Sequence, residues 1–130
     1  MASSSPPLSV KLIAILYACA MPIEVLTTWA ALGDLYARQS VGGWISLFFH
    51  MLLIGLYFYL VNDLWKLREL ARRIAIGYQA YVVLFGLVSV LQVAVFSESR
   101  TGPVLAILIW NVAISSAVLL ILLMRKAVFK

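Results

Sequence analysis

Glu24 is the residue on which any chemistry in this sequence would turn. It stands inside a long apolar run, 12–32, that has no other charged side chain. An acidic group at the centre of such a run costs about 2.5–3.5 kcal/mol on membrane-insertion scales. A proton, a water molecule or a hydrogen-bonding neighbour must therefore compensate it. Three further apolar runs each carry a comparable polar residue: His50 in 43–64, Gln92 in 74–96 and Asn111 in 103–124. At the helical rise, Glu24 and Asn111 lie about 12 Å, His50 about 10 Å and Gln92 about 6 Å from the ends of their runs at 32, 103, 43 and 96. Ser46 and Tyr57 share a face with His50, Ser89 with Gln92, and Ser115 with Asn111.

Two chemistries fit four polar groups at similar depth. The plainer is an interhelical hydrogen-bond cluster that fixes packing, each bond contributing about 0.6–2 kcal/mol. The sharper is a proton or cation site with Glu24 as the titrating group and His50 beside it. Pro22, two residues before Glu24, has no backbone N–H to give the Ala18 carbonyl, so a kink is expected there. Tyr17, Ala20, Glu24, Thr27, Thr28 and Ala31 fall on one helical face, small and polar enough for helix contact.

Other chemistry has few residues to work with. The chain has one His and one Cys. No intrachain disulfide, dithiol exchange or bis-histidine haem can form from them. No zinc-ligand spacing, phosphate-binding loop or hydrolase motif occurs. Cys19 reads as a small packing residue. No catalytic residue, cofactor or metal is expected, and an enzyme is not. Nucleic-acid binding is not expected either, because the basic residues are few and sit beside the ends of apolar runs.

The elements that must position Glu24 follow from composition. Apolar residues make up 65% of the 130, and charged ones 12%, whereas soluble domains carry about 25% charged residues. Each apolar run has the roughly 20 residues needed to cross a hydrocarbon layer of about 30 Å. Helices of a soluble bundle would show a polar face over most of their length, and these are apolar all round. The expected fold is all-α, an integral membrane bundle of four transmembrane helices. It comprises a flexible tail at 1–11, a single transmembrane domain over 12–124 and a basic tail at 125–130.

Charge sets the expected orientation. Lys11, Lys66, Arg68, Arg72, Arg73, Arg125, Lys126 and Lys130 fall at one end of the helices, and only Arg38 and Arg100 at the other. That bias of eight to two predicts that both termini and the middle loop are cytoplasmic, in the cell inner (plasma) membrane. Lys66, Arg68, Arg72, Arg73, Arg125 and Lys126 then serve as topology anchors and contacts for anionic lipid. Trp29, Trp44 and Phe96 fall near the outer boundary, and Tyr59, Trp65 and Tyr78 near the inner one. The small residues Ala18-Cys19-Ala20 could suggest signal cleavage. The apolar run continues to Leu32, however, as a spanning helix does.

Turn composition places connections at 33–42 and 97–102, with Pro103 in the first turn of the fourth helix. The middle connection has no Gly or Pro, so Asn62 and Asp63 are the expected break. Leu64, Leu67, Ala71 and Ile74 then share a face, and Glu69 reaches Arg72 or Arg73.

Gly55-Leu56, Leu64-Trp65-Lys66-Leu67-Arg68 and Ala71-Arg72 resemble the end of the second helix and following loop in small bacterial four-span membrane proteins. Those proteins commonly show Leu-Trp-x-Leu-Arg-x-Trp-Ala-Arg, with Leu70 here in place of the second Trp. The likeness implies topology and no activity. Glu24-Val25 followed by Thr27-Thr28 is similar to the first helix of small multidrug-resistance transporters. Those tend to have weak Lys/Arg bias and a glycine-rich third helix with a Trp, and 77–86 here does not match it.

The expected function is accordingly a structural or accessory subunit that lies in the lipid bilayer and self-associates or joins a larger membrane complex. Short loops and the small residues Gly77 and Gly86 support it. A small proton- or cation-coupled transporter or channel subunit using Glu24 is the alternative. A lipid or quinone site in the outer half is the third.

Overall fold

The computed structural model describes residues 5–96 and 102–130, the side chains of Asp34, Arg38 and Phe96 excepted. The start of the N-terminal tail, Arg100 and most of the turn expected at 97–102 lie outside them. The described residues form four long helices, α1 (Leu8–Arg38), α2 (Val41–Trp65), α3 (Glu69–Phe96) and α4 (Gly102–Met124), and a short 3₁₀ turn at Lys126–Val128. All four helices are long and apolar enough to cross a membrane. Only 22%, 17%, 11% and 11% of their most apolar stretches, in chain order, is buried within the chain. A soluble bundle hides its apolar face, and these helices turn theirs outward, which defines an all-α multi-pass membrane protein.

The chain divides into two compact units, residues 1–68 and 69–130. The first is an α1–α2 hairpin. Pro7 opens α1, its carbonyl accepting the Val10 and Lys11 N–H groups at 3.0 Å each, while Pro22 lies inside the helix. Val10, Ile13, Ala14 and Tyr17 are buried at helical spacing. The Tyr17 ring lies 5.8 Å from that of Tyr57 on α2.

The turn between α1 and α2 is shorter than composition predicted. α1 runs through Gly33 to Arg38, because glycine in an apolar helix weakens it without ending it. Gln39, in the left-handed region at φ 46°, closes α1 through its N–H on the Leu35 carbonyl at 2.7 Å. Ser40 then caps α2, its Oγ accepting the Gly43 N–H at 3.1 Å.

α2 continues past Asn62 and Asp63 to Trp65. Asp63 is buried, and its carboxylate accepts from Asn62 Nδ2 and Arg68 Nη1, each at 3.2 Å. The chain leaves the helical conformation instead at Leu67, a buried residue at φ 57°.

The second unit is an α3–α4 hairpin. Ala71, Ala75 and Gln79 are buried on α3, and Ser115, Val118 and Leu122 on α4. A Cβ placed on Gly86 would come within 2.5 Å of Val112 Cγ2, so the absence of a side chain sets how closely the two helices approach. Gly77 has nothing within 4 Å of such a position and plays no such part.

The basic tail folds back on this hairpin. The Lys130 carbonyl accepts the Glu69 N–H at 2.8 Å, serving the first turn of α3, and Phe129 is buried. Arg72, itself buried, donates from Nε and Nη2 to the two Glu69 oxygens at 2.6 Å and from Nη1 to the Leu122 carbonyl at 3.2 Å. Glu69 also accepts from Arg73 Nε at 3.1 Å, so it reaches both arginines that spacing offered it.

Candidate functional site

Glu24 and His50 come together in the first hairpin. Glu24 is carried by α1 two residues after Pro22, and His50 by α2, and Glu24 Oε1 bonds to the Nδ1 atom of the imidazole. The side chains are 14% and 23% exposed respectively, so neither is sealed from its surroundings. An acid and a base in contact across two apolar helices satisfy one another where hydrocarbon offers nothing. A carboxyl group and an imidazole in contact can hold two helices together, and such a pair can in general share a proton.

The rest of the polar face of α1 is used locally. Thr28 Oγ1 donates to the Glu24 carbonyl at 2.7 Å, and Thr27 Oγ1 to the Ile23 carbonyl at 2.8 Å. Hydroxyls bonded one turn back take the place of side-chain contacts and tend to bend a helix, close to where Pro22 already omits a bond. Thr28 is buried, but Thr27 is exposed, so the small polar face is narrower than its spacing suggested. Cys19, expected to pack, is also exposed on α1.

Gln92 and Asn111 lie in the second hairpin, both exposed. Asn111 Oδ1 accepts from Ser115 Oγ on the same helix at 3.4 Å, and Ser89 Oγ donates to the Phe85 carbonyl at 2.9 Å. Among the basic residues expected as anchors, Lys66, Arg68, Arg73, Arg125 and Lys126 are exposed. Arg72 is the exception at 6% exposure, spent on Glu69 and Leu122 instead of lipid.

Sequence did not single out Gln79, and it named Asp63 and Arg68 only separately. Gln79 is buried on α3, in the half of the span away from Gln92. Asp63 and Arg68 form a capping pair at the end of α2. The signal available for that pair was its opposite charges five residues apart, spanning the only charged break between the second and third apolar runs.

A cavity of about 410 Å³ opens beside the α1–α2 turn, lined by Leu32, Leu35, Tyr36, Gln39 and Trp44. Neither Glu24 nor His50 lines it. Among the described residues, no group of three His, Cys, Asp or Glu side chains is placed to hold a metal ion. No protein-family model, curated protein or solved structure matches this chain. Its own residues are therefore the whole basis for a functional reading.

Proposed function

We propose that this protein is a non-enzymatic structural or accessory subunit of the cell inner membrane that associates with a second copy or a larger membrane complex. Its termini and the Lys66–Arg68 turn face the cytoplasm, following the eight-to-two bias of basic residues. The observation that carries the reading is that Gln92 and Asn111 lie exposed within the apolar stretches of the second hairpin's helices. Lipid tails neither donate nor accept hydrogen bonds, so amides on such helices are best served by a neighbouring helix. Native mass spectrometry of the full chain in lipid nanodiscs tests this. An oligomer or a co-purifying membrane protein is expected, and it weakens in a Gln92→Leu/Asn111→Leu variant. A lone monomer would remove the proposal.

The Glu24–His50 contact favours a second reading, a small proton- or cation-coupled transporter or channel subunit. In proteoliposomes Glu24→Gln then abolishes pH-driven cation flux, and retention of full flux, or no flux in the parent chain, would exclude it.

A further inference from the structure

At the end of the first hairpin away from the α1–α2 turn, a groove of about 370 Å³ is lined by Met21, Phe58, Val61, Asn62, Trp65 and Lys66. Every lining residue belongs to the first hairpin, with Met21 on α1 and the others on α2 and its C-terminal cap. The lining is graded along its length. Met21, Phe58 and Val61 are apolar, whereas Asn62, Trp65 and Lys66 follow Val61 toward the C-terminal end of α2. Phe58 and Lys66 are eight residues apart, about 12 Å along the helix axis, which suits a flexible chain better than a compact ring.

Charge narrows the occupant. Arg68, the next basic residue, is held by the buried Asp63 carboxylate at 3.2 Å, so the two largely cancel. Lys66 is exposed and is the one cation of the lining. The occupant that matches an apolar trough ending in a single cation and an indole N–H is an amphiphile with one negative charge.

We propose that this groove binds an anionic phospholipid, one acyl chain lying along Met21, Phe58 and Val61 and its phosphate meeting Lys66 beside Trp65. The site requires only that the hairpin sits in a membrane, and it is independent of whether the protein acts as an accessory subunit. Lys66 there selects the headgroup, and Met21, Phe58 and Val61 hold the chain.

The test uses the full chain in mixed micelles, with phosphatidylglycerol and phosphatidylcholine of equal chain length titrated in and bound lipid counted by native mass spectrometry. The parent chain should retain phosphatidylglycerol in preference to phosphatidylcholine. Lys66→Gln should reduce that preference about fivefold, as expected for one lysine near a lipid surface, while Lys66→Arg keeps it. Val61→Trp, which fills the groove, should reduce retention of both lipids. Lys126→Gln removes an exposed charge outside the lining and should change little. Equal retention of both lipids by the parent chain would overturn the proposal. So would an equal loss in Lys126→Gln, or displacement of the lipid by millimolar inorganic phosphate, which would mark a simple phosphate site. If Lys66→Gln fails to fold, Val61→Trp decides, and unchanged retention in that variant overturns the proposal.

Discussion

Glu24 Oε1 and His50 Nδ1 are bonded to each other across the α1–α2 hairpin, between the only acid inside the first apolar run and the only histidine in the chain. The bond accounts for how a carboxylate is tolerated there. Insertion is costly for an acid alone, and the imidazole supplies the partner that lipid cannot. It also links the hairpin's stability to any traffic through the site, because disturbing one residue strands the other.

That linkage is measurable in a double-mutant cycle. Glu24→Gln and His50→Gln should each lower the unfolding free energy of the chain in detergent by about 1–2 kcal/mol, less than for a fully buried pair because both side chains are part-exposed. The two losses should be non-additive by about 1 kcal/mol. Replacing both residues by Leu should restore most of the stability, since no stranded polar group remains. Strict additivity would mean that the two side chains do not act together.

Gly77 and Gly86 look alike in sequence and should behave oppositely. An alanine at 86 meets the Val112 methyl, and β-branched side chains in helices have little freedom to turn away. Gly86→Ala should therefore destabilise the second hairpin by about 1 kcal/mol, the gain in helix propensity being smaller than the overpacking. Gly77→Ala meets nothing and should stabilise it by about 0.5–1 kcal/mol. Thermal unfolding of the two variants in one detergent gives both signs at once.

The four helices were legible because a run of about 20 apolar residues is far longer than a strand and lacks the polar face of a soluble helix. Their ends were not. Gly33 and Gly42 suggested a long turn, yet helix continues through the first and resumes before the second, since backbone bonds in an apolar setting outweigh glycine's entropy. Leu67 adopts a left-handed conformation that glycine or asparagine usually supplies, so nothing in its identity marked the break in helix there. Depth along the helices placed Glu24 and His50 at one level, and that was enough to nominate the pair. It could not reveal Arg72 bonded to the Leu122 carbonyl, a contact between residues fifty positions apart that depends on how α3 and α4 register.

Ser40 tests the corrected turn. With only Gln39 and Ser40 between the two helices, the Ser40 hydroxyl on the Gly43 N–H is the side-chain cap of α2. Ser40→Ala should cost about 1 kcal/mol, and Ser40→Asp, which can accept the same bond, should cost little. Amide exchange at Gly43 should rise in the alanine variant and stay near its parent value in the aspartate one. Were the turn spread over 33–42, neither substitution would alter exchange at that position.

Arg72 makes the strongest demand on geometry. Its planar guanidinium grips both oxygens of Glu69, donates to the Leu122 carbonyl and lies 6.0 Å from the centre of the Phe129 ring, while the Lys130 carbonyl receives the Glu69 N–H. Lysine keeps the charge but has no fork with which to make these bonds together. Arg72→Gln should cost about 2 kcal/mol, below the range for a fully buried pair because the Glu69 side chain is part-exposed, and Arg72→Lys about half as much. A purely local effect on α3 would leave the tail in place. If Arg72 holds the tail, trypsin should cut after Arg125 and Lys126 faster in both variants, and the Glu69 amide should exchange faster. Unchanged cleavage and exchange would show that Phe129 and the Lys130 carbonyl hold the tail without it.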